Sequence, residues 1–308
     1  MNNLITILGP TASGKTKLAV RLANELDGEI ISADSRQVYR GMDIGTGKDL
    51  SEYTIDGKRI PYHLIDLLEA GERYNVFQFQ NDFQTAFQSI KAKGKSAILC
   101  GGSGQYILSV LQDFRYTAVP VDDHLREELS KKSDEELVEI FNEYSTDFSK
   151  IAKIESHKRL IRAIEINKYL LENKDFNQSA FKQESILFGL DLPIEMRRAR
   201  ISERLNVRLE SGLIEEVEGL LKAGLAPESL IYYGLEYKFT VDYLMDRYDF
   251  DTFVKLLEIA IHQYAKRQMT FFRKMEKDGL KINWIDGELP LDLQLKQIIN
   301  ILNSPAGG

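Results

Sequence analysis

Gly9, Gly14, Lys15 and Thr16 stand in the spacing G-x-x-x-x-G-K-[ST], which lets a turn of backbone hold phosphate. In such a loop, here Gly9, Pro10, Thr11, Ala12, Ser13, Gly14, Lys15 and Thr16, glycines free the backbone to point successive N–H groups inward. The following helix N-terminus adds partial positive charge, Lys15 can reach a terminal phosphate, and the Thr16 hydroxyl can ligate Mg²⁺. The bland alternative is a glycine-rich turn, but the flanks argue against it. Leu4 to Leu8 form a short apolar run, and Leu18, Ala19, Leu22, Ala23 and Leu26 recur at the helical period, giving the strand-loop-helix setting the chemistry needs.

Asp34 is the candidate acid or base, because GEIISADSRQVY reads as a second buried strand that ends beside it. In open α/β sheets ligands bind at that carboxyl edge. Its other roles would be to hydrogen-bond the loop or to help hold Mg²⁺. Arg197, Arg200, Arg204 and Arg208 are spaced three, four and four apart, which puts all four on one helical face, with Ile201, Leu205 and Leu209 opposite. Such a stripe can grip a pyrophosphate or an RNA backbone, or it can be a solvated face paired with Glu195, Glu203 and Glu210. Lys158, Arg159 and Arg162 cluster similarly, while Leu160, Ile161 and Ile164 can pack inward. In YAKRQMTFFRK, Lys266, Arg267 and Arg273 are further candidates, and Phe271 and Phe272 read as core.

The elements that must position these residues follow from hydrophobic period and punctuation. Tyr62 to Leu68 suits a short strand, Asn75 suits a cap for a helix from Val76 to about Lys93, and residues 95–102 suit a buried strand leading into a helix from about Gln105 to Leu111. That strand ends in Gly101 and Gly102 rather than the Mg²⁺-holding Asp of many ATP- and GTP-hydrolysing enzymes, which argues against a motor or switch. From about Tyr116 to Glu184 the pattern turns helical, with Ser133 as a cap. SILFGLDLP (185–193) then reads as a strand returning to the sheet. Helices are expected at about 194–210, 213–223, 230–245 and 251–277, then a strand in KINWIDG, an amphipathic helix in LDLQLKQIINIL and a disordered tail in SPAGG (304–308).

The expected fold is α/β: a P-loop NTPase-like parallel sheet flanked by helices, with a discontinuous catalytic core of residues 1–115 plus 185–308 and a helical insertion at 116–184. The 308 residues, 43% hydrophobic, suffice for a sizeable core. A lone Cys100 excludes an internal disulfide and fits a reducing, cytoplasmic setting, and the five-residue first apolar run is neither a signal peptide nor a membrane span. The net charge of −7 argues mildly against nucleic acid. Its distribution does not: Asp122 to Asp147 holds ten acids against three Lys/Arg, whereas Lys150 to Lys182 holds eight Lys/Arg against four acids.

The chain resembles the tRNA dimethylallyltransferases, also called tRNA isopentenyltransferases, through GPTASGKT at 9–16, SADSRQVYRGMDIGT at 32–46, GGSGQY at 101–106, RLIRAIEI at 159–166, the Arg-rich helix leading to SGLIEEV at 211–217, and YAKRQMTFFR at 264–273. The resemblance spans nearly the whole chain. It implies a transferase that moves a dimethylallyl group from dimethylallyl diphosphate to N6 of adenosine 37 in tRNA, with Mg²⁺; a nucleotide-binding monomer with no membrane partner is the separate expectation. By the same resemblance Pro10 to Thr16 would hold the diphosphate in place of ATP, Arg200 and Arg204 would offset charge on the leaving group, and Asp34 would accept the N6 proton. Ser35, Arg36 and Gln37 would hold the extruded adenine. Ser103 and Arg126 would touch tRNA, and the run Lys158, Arg159, Leu160, Ile161 and Arg162 would meet the anticodon stem-loop. The usual pattern is departed from at GLEYKF (234–239), Ile261-His262 and Phe271. Rival readings are a P-loop small-molecule kinase, an adenine-nucleotide isopentenyltransferase, and a non-catalytic RNA-binding P-loop protein.

Overall fold

The computed structural model describes residues 4–179 and 181–304, so residues 305–308 of the expected tail lie outside the described residues. Two compact units form, residues 1–111 with 183–308, and 112–182. In the first, Leu4–Leu8 (β1) is buried at every position, as a central strand covered on both faces must be. Lys15–Glu25 (α1) follows and buries Leu18, Ala19, Leu22 and Ala23. Gly28–Ser32 (β2) leads to a small hairpin of Thr54–Ile55 (β3) and Lys58–Arg59 (β4), then to Tyr62–His63 (β5). The strand expected from Tyr62 to Leu68 is thus cut short, because Leu64 and Asp66 turn to φ +63° and +56°, outside the extended region. Val76–Ala92 (α2) begins with a reciprocal cap between Asn75 and Gln78 and buries Phe79, Phe83 and Ile90.

Ser96–Gly101 (β6) and Gly104–Leu111 (α3) complete the first half of the sheet. In the helical unit, Asp123–Leu129 (α4), Asp134–Asn142 (α5) and His157–Glu172 (α6) close around Leu125, Leu129, Leu137, Phe141, Leu160, Ile161 and Ile164. Ser133 caps α5 in a reciprocal box with Glu136.

The chain re-enters the sheet as Ser185–Asp191 (β7), which pairs in parallel with β1. Ile194–Glu210 (α7) and Leu213–Lys222 (α8) follow. The single helix expected around 230–245 is two, Pro227–Ile231 (α9) and Leu235–Leu244 (α10), because Gly234 sits at φ +141°, which no helix accommodates. Phe250–Lys277 (α11), Ile282–Asp286 (β8) and Leu291–Asn303 (α12) end the unit. The six-stranded parallel sheet has the order β5-β2-β6-β1-β7-β8, and its register sets Leu8 level with Gly101 and Gly189. The phosphate-type loop after β1, the Asp34 turn after β2 and the GGSG turn after β6 therefore leave the sheet at one edge. Gly101 is required there, since an added Cβ would fall 2.1 Å from the Ala33 carbonyl oxygen.

Candidate active site

The loop from Gly9 to Thr16 takes its turn with Gly14 at φ +88° and Ala12 at φ +59°, so an alanine shares the left-handed geometry expected of glycine. Lys15 Nζ lies 3.3 Å from the Pro10 carbonyl oxygen. Burial is the main reason its ammonium loses protons more readily than an ordinary lysine, with Arg204 adding repulsion and Cys100 and Asp34 pulling the other way. A polyanion at this place would favour the charged form again. Cys100 lies beneath the loop, its thiol pushed up to about 12 by burial, so it is a packed side chain and no nucleophile at neutral pH.

A cavity of about 470 Å³ opens at the same edge, lined by Thr11, Lys15, Thr16, Asp34, Ser35, Arg36, Gln37, Arg204, Arg208, Tyr232, Tyr264 and Gln268 among others. A second, of about 570 Å³, shares Lys15, Thr16, Arg204 and Arg208 and adds Ser13, Asp49, Glu52 and Arg200. Asp34 Oδ1 accepts from the Arg36 amide at 3.0 Å, while Oδ2 has no hydrogen-bond partner among the described residues. The Arg36 guanidinium lies 4.8 Å from the Tyr232 ring centroid, a cation over an aromatic face. The Gln37 amide is held at both ends, its oxygen accepting from Ser32 Oγ at 3.1 Å and its nitrogen donating to the Gly47 carbonyl at 3.1 Å. Ser103 stands outside both cavities and accepts from the Ser35 amide at 3.1 Å, so it shapes the Asp34 turn from behind.

The arginine stripe divides. Arg200 rests near the Ser13 and Gly287 carbonyls at 3.5 Å, Arg204 binds Asp49 at 2.5 Å with Thr11 Oγ1 at 3.4 Å, and Arg208 pairs with Glu236 at 2.8 Å. Arg197 lines neither cavity. Glu195, Glu203 and Glu210, the partners in the solvated-face alternative, make no ion pair with these arginines among the described residues, and Arg204 and Arg208 pair with Asp49 and Glu236 instead. Arg273 is also elsewhere, bound to Asp191 at 2.6 Å with its guanidinium 3.9 Å from the Trp284 ring centroid. Lys266, Arg267 and Phe271 border a surface depression, and Phe272 is fully buried.

With this geometry in view, the relatives are informative. The family model described as IPP transferase matches residues 37–275. The chain belongs to the IPP transferase family. It is 51% identical to "tRNA dimethylallyltransferase 2" of Bacteroides fragilis over 294 residues, 94% of each chain, and 50% identical to "tRNA dimethylallyltransferase 1" of Parabacteroides distasonis over 301 residues, 98% of each. Among solved structures, the full-length tRNA isopentenylpyrophosphate transferase of Bacillus halodurans is 30% identical with a TM-score of 0.71, covering 98% of this chain and 96% of that one. The P-loop NTPase-like fold of the IPP transferases is the fold seen here.

In the helical unit of this IPP transferase the basic run is not uniform. Leu160 and Ile161 are 3% and 8% exposed and belong to the core of the unit, so the expectation that both touch RNA is corrected: their side chains face the wrong way. Arg162 and Arg126 converge on the buried Glu165, Arg126 in two bonds of 2.9 Å, and Arg162 also donates to the Val119 carbonyl at 2.7 Å. Burial alone would raise the Glu165 carboxyl, but the hydrogen bonds from Arg126, Arg162 and the Asp122 amide outweigh it and hold it below its ordinary value. Lys158 has no ion-pair partner among the described residues, and Arg159 bonds Glu155 on the surface at 2.6 Å.

Three residues that hold the site's loops were not singled out from the sequence, although Gln268 lies within YAKRQMTFFR and Glu216 within SGLIEEV. Gln268 accepts from the Thr11 amide and donates to the Gly102 carbonyl, both at 2.9 Å, tying the phosphate-type loop to the GGSG turn. Lys48 buries its ammonium between Asp43 at 2.6 Å and Asp66 at 2.5 Å. Glu216 anchors the loop over Arg204. Their partners lie 5 to 257 residues away, so spacing offered no signal for most of them.

Proposed function

We propose that the protein transfers a dimethylallyl group from dimethylallyl diphosphate to N6 of adenosine 37 in tRNA. The observation that carries this is the cavity in which Asp34 faces the same space as Lys15, Thr16 and Arg204, an acceptor for a proton beside a cradle for a diphosphate. The N6–C1 bond forms as the C1–oxygen bond breaks, diphosphate leaves, and the N6 proton passes to Asp34. The exocyclic amine is a poor nucleophile because its lone pair is delocalised into the ring, so a carboxylate that orients it and takes its proton speeds attack. Lys15, Arg200 and Arg204 meet charge as it builds on the leaving oxygen. Ser35, Arg36 and Gln37 line the acceptor side, where an extruded base would rest.

The donor set suits Mg²⁺. The Thr16 hydroxyl, with Glu52 lining the same cavity, would hold the ion, and substrate oxygens and water would supply the remaining ligands, as is usual for Mg²⁺. Bound there, Mg²⁺ would neutralise diphosphate charge. Lys158 and Arg159 would contact RNA backbone, with Arg126 and Arg162 set by Glu165.

The test is incubation of the purified protein with Mg²⁺, dimethylallyl diphosphate and bulk tRNA, followed by digestion and mass spectrometry. Prenylated adenosine is expected. ATP-dependent phosphorylation of a small molecule without prenyl transfer would favour a kinase instead.

A further inference from the structure

Glu216 lies in the first turn of α8, eight residues after Arg208. Its carboxylate accepts four hydrogen bonds. Oε2 takes the amides of Asp43 and Ile44 at 2.7 and 2.8 Å, and Oε1 takes the Gly45 amide at 3.0 Å and the Tyr237 hydroxyl at 2.7 Å. Three successive amides aimed at one carboxylate form an anion nest filled by the protein's own side chain. Tyr237 is fully buried, and its phenol is held in the protonated, donating form by burial first and by the Glu216 charge second. An added Cβ at Gly45 would fall 2.6 Å from its ring, so the loop is pressed against α10 with no room for another residue type.

Two residues further on, the Gly47 carbonyl accepts from Gln37 Nε2 at 3.1 Å and from Arg204 Nη2 at 3.3 Å. Gly47 itself sits at φ +62°, and a Cβ there would overlap the Arg204 and Arg208 guanidinium groups. One carbonyl thus faces both an acceptor-side amide and a leaving-group arginine.

We propose that Glu216 is a positioning residue for the transfer reaction: by anchoring the 43–45 amides it fixes the Gly47 carbonyl, and through it orients Gln37 and Arg204 together. The inference rests on the prenyl-transfer reading. Its physical basis is that reacting groups displaced by about 1 Å can lose about a hundredfold in rate. Glu216→Gln keeps the size of the side chain but removes the charge and sets an NH₂ group against backbone N–H donors. Lys48, paired with Asp43 and Asp66, still holds the loop from its other side in this variant.

The experiment measures kcat and KM for donor and tRNA in wild type, Glu216→Gln, Gln37→Ala and the double variant, with thermal melting as a control for folding. A fall in kcat of about tenfold or more is expected in Glu216→Gln, with tRNA KM within about threefold of wild type. Because part of the effect of Glu216 passes through Gln37 and the rest through Arg204, the same change should cost less, though not nothing, in the Gln37→Ala background. An equal fold-loss in both backgrounds, or an unchanged kcat, overturns the assignment. Tyr237→Phe removes one partner of Glu216 without entering the loop, and carries the same cycle if Glu216→Gln does not fold. No prenyl transfer by wild type would overturn the activity reading itself, whereas transfer by wild type with an indifferent Glu216→Gln would overturn only the role of Glu216.

Discussion

Asp34 Oδ2 is left open in a cavity whose other polar groups are mostly engaged: Gln37 at both ends of its amide, Arg204 by Asp49, Arg208 by Glu236. A base needs reach before it needs an adjusted pKa, and an unengaged oxygen supplies it. Asp34→Asn keeps the size and one acceptor oxygen but is a far weaker base. We expect kcat to fall on the order of a hundredfold or more, with tRNA and diphosphate affinities little changed. Steady-state kinetics with separate binding titrations checks this. An unchanged kcat with a raised Mg²⁺ requirement would make Asp34 a metal-site group. At this scale the sequence was most legible where neighbours in the chain are neighbours in the site. The spacing from Gly9 to Thr16 encodes both the turn and its chemistry, and Asp34 follows its strand by two residues. Gln268 and Glu216 stood inside recognised motifs, yet their roles did not show in the sequence because their partners, the Thr11 amide and the 43–45 amides, come from other elements, and the buried Lys48 likewise reaches across to Asp66.

A helix presents a face, but its neighbours decide which part of that face does chemistry. The four arginines of α7 share one side by spacing, yet only Arg200, Arg204 and Arg208 reach the cavities, since Ile201 and Leu205 seat that stretch against Phe253 and Leu257 of α11 while Arg197 lies nearer the helix start. Arg204→Ala should therefore cost about a hundredfold in kcat and Arg197→Ala less than about twofold, measured side by side at saturating substrates. The same reasoning splits α6. Arg162 is bound inward to Glu165 and the Val119 carbonyl, whereas Lys158 and Arg159 remain outward. Replacing Lys158 and Arg159 together with Ala should weaken tRNA binding and flatten its dependence on salt by about one to two phosphate contacts, leaving donor KM unchanged. An unchanged salt slope would remove both from the RNA interface. The period of α6 did show in the sequence that Leu160 and Ile161 pack inward, and the resemblance that grouped them with the RNA contacts was overruled by that period. The broken helix at Gly234 was missed because its flanks kept a helical pattern on either side.

The two units differ in what holds them, and pH should separate them. The larger unit packs a six-stranded sheet between helices, with extensive apolar clusters around Ile5, Leu18 and Ile98 and around Leu205, Phe253 and Leu257. The helical unit spans only Gln112–Lys182, a size at which the buried fraction is small and a single interaction weighs heavily. Beside its apolar core lies the buried Glu165, whose carboxyl is held below its ordinary 4.5 by Arg126, Arg162 and the Asp122 amide against its burial. A carboxyl depressed in the folded state stabilises fully above the pKa of the unfolded chain, and that contribution is lost as pH falls through the folded value. Protonation would also leave two guanidinium groups facing each other across a neutral acid. Glu29 in the larger unit is depressed too, by His63 and Lys93 against its burial, but it lies on a strand bonded on both sides. On acidification below about pH 4.5 the helical unit should therefore lose structure first. The sole tryptophan, Trp284, sits in β8 of the larger unit and reports on that unit alone, while far-UV circular dichroism sees both. Ellipticity should fall before the Trp284 emission maximum moves, and Glu165→Gln should lower the stability of the helical unit at neutral pH while flattening its loss in acid. Coincident transitions in wild type would show that Glu165 does not set the acid limit of its unit.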